Sequence, residues 1–276
     1  RDGVMSRVLG DVYKRQFIYH SQLMKINFLG TGTSQGIPVI GSNHPVCLST
    51  DKRDKRLRTS LLLDWNGDQI IIDCGPDFRY QMLRSECSKI DAILFTHEHN
   101  DHVSGLDDVR PFYFKFGTIP IYAERRVLNS LEERFPYIFN NIKNIPSVPS
   151  VKIKEINGQF AIKNKIVIPV RAFHGELPIL GYRFADFAYF TDVKTIEETE
   201  FKKLKNLEVL VINALRIEEH RSHLNLEDAI ALIQRINPKK AYLTHVSHKL
   251  GFHKEIQRSL PKNIFLSYDG LEIEIN

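Results

Sequence analysis

The feature that most constrains this chain is a dense run of metal-ligand side chains that directly follows an apolar stretch. Residues 97–102 read His-Glu-His-Asn-Asp-His, and the preceding Ile90–Phe95 is typical of a buried strand. In extended backbone His97 and His99 project to the same side, so both imidazoles can bind one cation. Asp101 and His102 fall on the following turn and can face a second cation. The pattern predicts a metal centre at the end of a core strand rather than a solvated polar loop.

Three further ligand-type residues, His174, Asp192 and His245, each come shortly after an apolar stretch that is typical of a strand. With the cluster they make five histidines and two aspartates. Such a set is too large for one ion and suits two ions if one carboxylate bridges them. Imidazole and carboxylate ligands allow zinc, manganese or iron, and the lack of thiolates among them argues against a purely structural zinc.

Composition excludes several other classes of protein. The 276 residues are 42% hydrophobic and 26% charged, which is ordinary globular usage. No run approaches the roughly 18 apolar residues of a membrane span. Three cysteines make a disulfide framework improbable and favour a reducing compartment, so we expect a cytoplasmic protein with no membrane contact. A net charge of +5 permits anionic partners without requiring them.

The first 23 residues show no persistent helical or strand period and carry two of the five net positive charges. They contain no continuous apolar stretch of the kind that a secretory signal needs. Met24 directly precedes the first convincing strand. We therefore expect residues 1–23 to be a disordered extension or a non-native leader, with a transit peptide as the alternative, and residues 24–276 to form a single hydrolase domain.

Hydrophobic patterning predicts hairpins mixed with helices, without the steady rhythm of a doubly wound fold. Predicted strands cover Lys25–Leu29, Ser60–Trp65, Gln69–Asp73, Ile90–Phe95, Ile119–Ala123, Val151–Ile156, Gln159–Ile162, Lys165–Val170, Leu180–Phe184, Ala188–Thr191, Leu207–Ile212 and Ala241–Thr244. Predicted helices cover Phe78–Glu86, Glu124–Phe135 and Asn225–Ile236. The dipeptide Asn66-Gly67 predicts a tight hairpin turn between the second and third strands, and Asn140–Ser150 is expected to be a loop.

Residues 96–102 resemble the T-H-x-H-x-D-H signature of the metallo-β-lactamase superfamily, and the three later ligands match its remaining motifs in order and approximate spacing. The resemblance implies an αββα sandwich, an α+β fold in which two mixed β-sheets lie face to face with helices outside. It also implies a dinuclear site at one edge of the sheets. One metal would be held by His97, His99 and His174, the other by Asp101, His102 and His245, with Asp192 bridging.

Finer motifs are similar to the phosphodiesterase branch of that superfamily. The glycine-rich turn within Phe28–Pro38 resembles the start of the phosphoribosyl 1,2-cyclic phosphate phosphodiesterase and of the tRNA 3′-processing endonuclease. Residues 244–248 and 222–226 also resemble the cyclic phosphodiesterase, which places its non-ligand active-site histidine at His223. A β-lactamase would normally be exported, and a glyoxalase II lacks the glycine-rich turn.

The ligand set predicts its chemistry. Two cations can share a bridging hydroxide that attacks a phosphodiester while both ions neutralise charge on the phosphate. Asp101 and His223 are the candidate catalytic residues, with His223 as a general acid for the leaving oxygen or a hydrogen-bond donor to the phosphate. The alternative for His223 is a surface histidine near a helix start that Asn225 caps. Asp73 could orient a ligating histidine or cap the following helix.

A second hypothesis concerns a structural zinc. The loop at residues 41–47 resembles one that carries three zinc-binding cysteines in the cyclic phosphodiesterase, whose fourth ligand would be His248 here. Ser42 and His44 stand where two of the cysteines are expected, and only Cys47 matches. His44, Cys47 and His248 could still hold zinc with His253 or water as the fourth ligand. Alternatively, the zinc has been lost and packing holds the loop.

These observations predict a hydrolase that uses two divalent metal ions, zinc or manganese with iron allowed, on a phosphodiester. The expected substrate is a cyclic phosphate of a small nucleotide or phosphoribosyl compound. The alternative is a tRNA 3′-processing-type endoribonuclease, but the 71 residues between His102 and His174 hold no long Gly-rich arm. The net charge of +3 after residue 23 is also modest for RNA binding. A binding protein without activity would not need the full ligand set. Whether the protein forms a homodimer is left open.

Overall fold

The computed structural model describes residues 23–139 and 147–275. Within them, the first of two mixed β-sheets has seven strands. In spatial order these strands are β15 (Glu272–Ile275), β1 (Met24–Gly30), β2 (Ser60–Trp65), β3 (Asp68–Ile72), β4 (Ala92–Leu94), β5 (Ile119–Ala123) and β6 (Val151–Glu155). The neighbours from β3 to β6 are parallel, whereas β1 is antiparallel to both β2 and β15.

The second sheet has eight strands in the described part of the chain. In spatial order these are β11 (Thr195–Ile196), β8 (Lys165–His174), β9 (Leu177–Phe184), β10 (Phe187–Tyr189), β12 (Val209–Asn213), β13 (Lys240–Thr244) and β14 (Ile264–Leu266), with β7 (Phe160–Ile162) paired to β8. β8, β9 and β10 form an antiparallel meander, and the pairs from β10 to β14 are parallel.

Eight α-helices and four short 3₁₀ segments connect the described strands. The α-helices are α1 (Pro45–Leu48), α2 (Phe78–Ser85), α3 (Asn100–Val103), α4 (Arg110–Phe116), α5 (Arg125–Arg134), α6 (Pro136–Phe139), α7 (Leu226–Ile236) and α8 (His253–Ser259). The 3₁₀ segments are Lys52–Asp54, Leu106–Val109, Glu198–Leu204 and His248–Leu250.

Three buried clusters show how these layers stack. Leu61 and Leu63 of β2 pack toward Tyr182 and other side chains of the second sheet, so one apolar core lies between the sheets. Leu62, between them in sequence, joins the cluster formed with α2 and α5 on the other face. β2 is apolar at successive positions because both of its faces are buried.

The second sheet is covered in the same way. Ala229 and Ile233 of α7 pack with Leu210 of β12, on the face that points away from the first sheet. The order of layers is therefore helix, sheet, sheet, helix. This confirms the predicted αββα sandwich.

Local predictions agree with the structure at most elements. Asn66 and Gly67 both adopt positive φ, 51° and 82°, as a two-residue turn of this kind requires. Two strand boundaries were wrong by three or more residues: β8 does not end at Val170 but continues to His174, and β9 begins at Leu177 rather than Leu180. The reason is the β8–β9 ladder, whose register runs from Val167 opposite Phe184 to His174 opposite Leu177.

The domain assignment stays a prediction. Residues 1–22 and most of the predicted 140–150 loop lie outside the described residues. Within those that are described, no helix combines the length and hydropathy needed to cross a membrane.

Candidate metal centre

The predicted ligands gather where strands of both sheets end. Residues 97–102 follow β4 and run into the short helix α3, while Asp192 and His245 follow β10 and β13. His174 is the last residue of β8. β4, β10 and β13 each run parallel to a neighbour, and the carboxyl ends of parallel strands are where α/β sheets place their ligand sites. Each sheet therefore supplies part of the site.

Asp192 lies at the middle of the cluster. Three groups of ligand atoms, each within 4.8 Å of one another, all include it. The groups are Asp101, His102, Asp192 and His245; His97, His99 and Asp192; and His174, Asp192 and His223. The structure thus brings together all seven residues predicted as metal ligands, and His223 with them.

The two carboxylate oxygens of Asp192 face different groups. Oδ1 lies 3.0 Å from His245 Nε2 and 3.4 Å from His102 Nε2. Oδ2 lies 3.8 Å from His97 Nε2 and 3.4 Å from His223 Nε2. A carboxylate whose oxygens diverge in this way can bind two cations at once. This is the arrangement that the bridging role requires.

His174 is the ligand whose surroundings differ most from the expected division. It groups with Asp192 and His223 rather than with His97 and His99. Its ring is still close to both, with centroids 5.2 Å from His99 and 5.9 Å from His97. The assignment of individual ligands to individual ions stays a prediction.

Asp73 and Thr96 orient two of the histidines. Asp73, fully buried after β3, has Oδ2 2.8 Å from His102 Nδ1 and accepts hydrogen bonds from the backbone N–H and the hydroxyl of Thr96. The Thr96 hydroxyl lies 3.0 Å from His97 Nδ1. With their Nδ1 atoms engaged, His102 and His97 point Nε2 into the cluster. Of the two roles considered for Asp73, the structure shows the orienting one, since Asp77 precedes α2.

The donor set fits divalent metal ions. The Nε2 atoms of His97, His102 and His245 are buried and form no hydrogen bond of acceptable geometry within residues 23–139 and 147–275, although unpaired buried polar atoms are costly. All three converge on Asp192. Nitrogen and carboxylate oxygen are ligands that zinc, manganese and iron accept. Bound cations would give these three unpaired nitrogens the partners that the protein itself does not supply.

Backbone strain is concentrated at the same place. Asp73 and His245, each directly after a strand, and Asp192, three residues after the end of β10, have φ values of 61°, 53° and 58°. Non-glycine residues seldom adopt this left-handed conformation, and it persists where the surrounding structure enforces it. Asp192 and His245 lie within the cluster, and Asp73 lies against His102 Nδ1.

The charges within the cluster are strongly coupled. Burial would raise the pKa of Asp192, but His245 and His102 hold it well below its ordinary value. Burial lowers the pKa of His97 well below the ordinary value, which keeps that ring neutral. Burial opposes but does not prevent a rise in the pKa of His245 to about 9, because Asp192 and Asp101 lie beside it. The carboxylates are thus ionised and attract positive charge.

His223 is buried and faces the centre, so the alternative of a surface histidine does not hold in the structure. Its Nδ1 lies 3.1 Å from Nδ1 of His220, a residue that the sequence patterns did not single out. Burial lowers the pKa of His223 to about 4, against the opposing effect of Asp192. Asn225 does cap α7, by accepting a hydrogen bond from the Asp228 N–H.

The three residues of the structural zinc hypothesis are only partly brought together. The rings of His44 and His248 are 4.9 Å apart between centroids. His44 Nδ1 accepts a hydrogen bond from the Val46 N–H, and the Cys47 thiol accepts one from the Val39 N–H. Among the groups found in the described residues, these three do not form a metal-ligand cluster. His253 instead places Nδ1 3.2 Å from the Arg56 guanidinium. The zinc site stays a prediction.

The fold and this centre together define a metal-dependent hydrolase of the metallo-β-lactamase class. Comparison with protein families agrees, because the model of the beta-lactamase superfamily domain matches residues 68–246. A solved structure described as a new diphosphatase from the PhnP family is 38% identical, with a TM-score of 0.85. The match covers 92% of this chain and 97% of that one. The chain belongs to the beta-lactamase superfamily and, within it, to the PhnP-like branch.

Two curated relatives carry different names. A protein of Porphyromonas gingivalis named octanoyltransferase is 43% identical over 258 residues, which is 92% of this chain but 52% of the relative. This chain therefore spans about half the length of that protein. A ribonuclease Z of Borrelia garinii subsp. bavariensis is 23% identical over 330 residues, covering 91% of this chain and 97% of the ribonuclease. Membership of the superfamily implies divalent metal ions as cofactors.

Proposed function

We propose that this protein is a dinuclear-metal phosphodiesterase that hydrolyses a cyclic phosphate of a small nucleotide or phosphoribosyl compound. The observation that carries the proposal is the position of Asp192, whose two oxygens face separate groups of ligand atoms. A pair of metal sites joined by a carboxylate suits a phosphodiester, which offers an attacked phosphorus, two non-bridging oxygens and a leaving oxygen.

The proposed metal ligands are His97, His99, Asp101, His102, His174, Asp192 and His245. When bound, two divalent ions supply Lewis acidity and charge neutralisation at the phosphate. The chain itself fixes the ligands before substrate arrives. Asp73 holds His102 and, through Thr96, His97. Asp101, whose pKa is lowered by His102 against the effect of burial, contributes negative charge beside His245.

His223 is the proposed proton donor to the leaving oxygen. Its Nε2 points toward Asp192 and lies at the edge of the ligand cluster, where a bound phosphate would be within reach. The neutral ring favoured by burial becomes easier to protonate when an anionic phosphate lies beside it. In the proposed reaction, protonated Nε2 passes its proton to the leaving oxygen as the ester bond breaks.

Two relatives suggest other substrates. The ribonuclease Z alignment covers nearly all of that enzyme, which supports an RNA endonuclease as the second candidate. Its 330 aligned positions exceed the 276 residues of this chain, so the ribonuclease carries segments that this chain lacks. The name octanoyltransferase belongs to a relative about half of which lies outside the match. The centre described here consists of histidines and aspartates, which suit metal-dependent hydrolysis.

Residues 24–276 are proposed to form one hydrolase domain, with residues 1–23 outside it. The pairing of β1 with β15, which joins Met24 to Ile275, supports this boundary. A cytoplasmic location is proposed because Cys47, Cys74 and Cys87 are all free thiols, as is usual in a reducing compartment.

The decisive variant is Asp192→Ala. We expect it to reduce hydrolysis of bis(p-nitrophenyl) phosphate by about 100-fold or more, because it removes charge and ligand atoms from both groups at once. Asp186→Ala is the matched control, since Asp186 is exposed and lies away from the cluster. Circular dichroism would show that both variants fold. Full activity in Asp192→Ala would refute the dinuclear assignment.

The substrate class needs a separate measurement. The metal-loaded protein should be compared on cyclic nucleotides, phosphoribosyl cyclic phosphate and precursor tRNA, with its metal content analysed beforehand. The proposal expects the highest kcat/KM on a cyclic phosphate. Cleavage of precursor tRNA with strongly salt-dependent binding would favour the endonuclease instead.

A further inference from the structure

Asn213 holds the backbone of the residue that follows Asp192. It is the last residue of β12 and is fully buried. Its Oδ1 accepts a hydrogen bond from the Val193 N–H at 2.7 Å, and its Nδ2 donates to the Val193 carbonyl at 3.0 Å. Because a backbone N–H donates and a carbonyl accepts, these two contacts fix which end of the amide is the oxygen. We call the two hydrogen bonds the Asn213 clamp.

The Asn213 clamp takes over where the strand ladder stops. β10 pairs in parallel with β12 as far as Tyr189, and the Phe190 N–H still donates to the Val211 carbonyl at 2.8 Å. Asp192 then turns the chain with a φ of 58°, a conformation that persists where the surrounding structure enforces it. Beyond this turn, a side chain of β12 supplies the hydrogen bonds that its backbone supplies earlier in the ladder.

The clamped peptide is also tied to the segment that carries His223. The Val193 carbonyl accepts a second hydrogen bond, from the Leu224 N–H, at 2.9 Å. The carbonyl of Ser222 lies 2.8 Å from Nδ1 of His174, which is a hydrogen-bond distance. The two residues that flank His223 are therefore attached to Val193 on one side and to a proposed metal ligand on the other.

On its other side, Asn213 lies beside the strand that leads to His245. β12 and β13 are parallel, and Asn213 is in register with Thr244, the residue before His245. The Ala214 N–H donates to the Thr244 carbonyl at 3.0 Å. Asn213 thus stands between the two chain segments that bring Asp192 Oδ1 within 3.0 Å of His245 Nε2.

We propose that Asn213 is a positioning residue that fixes the backbone of Asp192 and thereby the direction of its two carboxylate oxygens before any metal is bound. The inference rests on the bridging role that the proposed function gives to Asp192. The β10–β12 ladder holds the chain before Asp192, and the Asn213 clamp holds it afterwards. Because the clamp is made to the main chain, it orients the carboxylate without using its oxygens.

Two substitutions separate hydrogen bonding from packing. Asn213→Leu keeps a side chain of similar size and branching but makes no hydrogen bond, whereas Asn213→Ala also leaves space. We expect both variants to bind zinc about 10- to 100-fold more weakly, as when an outer partner of a metal ligand is lost. Competition with a chelator measures the affinity. Zinc binding by Asn213→Leu as tight as that of the wild type would overturn the inference.

Gln257→Ala is the matched control, because Gln257 makes the same kind of clamp elsewhere in the second sheet. Its Oε1 accepts a hydrogen bond from the Leu266 N–H at 2.8 Å, and its Nε2 donates to the Ile264 carbonyl at 3.4 Å. We expect this variant to lower the Tm of the metal-free protein but to keep the zinc affinity of the wild type. If it lost as much zinc affinity as Asn213→Leu, general destabilisation would explain both losses and the positioning role would be refuted.

Amide hydrogen exchange tests the clamp even if the variants at position 213 do not fold. In the metal-free wild type, we expect the Val193 amide to exchange about as slowly as the amide of Phe190, which belongs to the strand ladder. In Asn213→Leu the Val193 amide should exchange faster, while that of Phe190 stays slow. An unprotected Val193 amide in the metal-free wild type would show that the backbone is not held there, and would refute the inference.

Neither the zinc competition nor the exchange measurement uses a substrate, so this inference and the proposed function fail separately. If the zinc-loaded wild type hydrolyses no phosphodiester but Asn213→Leu loses zinc affinity, the proposed function is wrong and the positioning role stands. If the wild type hydrolyses a cyclic phosphate and Asn213→Leu equals it in zinc affinity and kcat, the proposed function stands and the positioning role is wrong.

Discussion

Asp73 holds two imidazoles in place from a fully buried position. Its Oδ1 accepts a hydrogen bond from the Thr96 backbone N–H. Its Oδ2 accepts one from the Thr96 hydroxyl and lies 2.8 Å from His102 Nδ1. The side chain is fully buried and sits on left-handed backbone. Burial raises its pKa, while His102 and Thr96 oppose that rise. The ionised form of Asp73 is therefore favoured by His102 and Thr96, and the orientation of His102 is set by Asp73.

The variant Asp73→Asn tests this dependence. An amide in the same place keeps the acceptor for the Thr96 N–H but turns an NH₂ toward His102 Nδ1. That nitrogen must then accept, which moves the proton of His102 to Nε2, where a metal would bind. We expect zinc affinity to fall by about 10- to 100-fold, measured by competition with a chelator.

Asp64→Asn is the control for Asp73→Asn. Asp64 accepts a hydrogen bond from the Gly67 N–H in the β2–β3 turn, a position that asparagine fills equally well. Unchanged zinc affinity in Asp73→Asn, with the control also unchanged, would show that the carboxylate does not orient His102.

Among the elements, the short helix α3 is held against the loop after β3 by very close backbone contact. A Cβ placed on Gly75 would lie 1.9 Å from the carbonyl oxygen of Asp101. The Cys74 N–H donates to the His102 carbonyl at 2.8 Å, and the Gly105 N–H donates to the Cys74 carbonyl at 2.9 Å. Any side chain at position 75 would therefore collide with the backbone of α3. This matters for the centre because α3 carries two proposed ligands.

Gly75→Ala should therefore damage both stability and metal binding. We expect a loss of about 1–3 kcal/mol in the free energy of unfolding, as for other overpacked sites. We also expect a weaker zinc affinity, because Asp101 must move. Urea unfolding and a zinc titration measure the two effects. Gly158→Ala is the matched control, since a Cβ there meets nothing within 4 Å, and it should change stability by less than about 0.5 kcal/mol. Equal results for the two variants would contradict the packing account.

Sequence patterns predicted the elements with a strong period or a diagnostic turn. α7 was found because Ala229, Ile233 and Ile236 recur on one face, and the β2–β3 hairpin was found from Asn66-Gly67. α4 was missed because its seven residues are too few to show a helical period and its phenylalanines alternate along the chain at 112, 114 and 116.

The ligand set was predictable because the ligands follow strands in sequence. The contacts of Thr96, Ser222 and His220 were not, because hydrogen bonds between neighbouring loops depend on backbone geometry that residue type does not fix. Thr96 was visible beside His97 in the signature, but only the structure shows that its hydroxyl connects His97 to Asp73.

At the scale of the whole molecule, the centre joins two sheets that are otherwise connected by their apolar core. His97, His99, Asp101 and His102 follow the first sheet, and His174, Asp192 and His245 belong to the second. Ions held by both sets would bind the folded chain and not the unfolded one. Metal binding is therefore expected to stabilise the whole fold and not just a loop.

Thermal unfolding with and without zinc tests this coupling. At a free zinc concentration 100 times the Kd, the stabilisation is about 2.7 kcal/mol, which corresponds to a rise in Tm of about 5–10 °C for a chain of this size. Excess chelator should reverse the rise. Asp192→Ala should show a much smaller shift, because it lacks the residue shared by every group. A similar shift in that variant would place the stabilising ion elsewhere.

The pairing of β1 with β15 has a consequence for how the protein is made. β1 is the earliest of the described strands to be synthesised and β15 the latest, yet Met24 to Asn27 lie opposite Glu272 to Ile275. At ordinary rates of translation, about 10 to 50 s separate the two strands. During that time one edge of β1 has no partner and is open to pairing with another nascent chain. Neighbouring ribosomes on one message would thus be the setting in which this protein is most prone to misassembly.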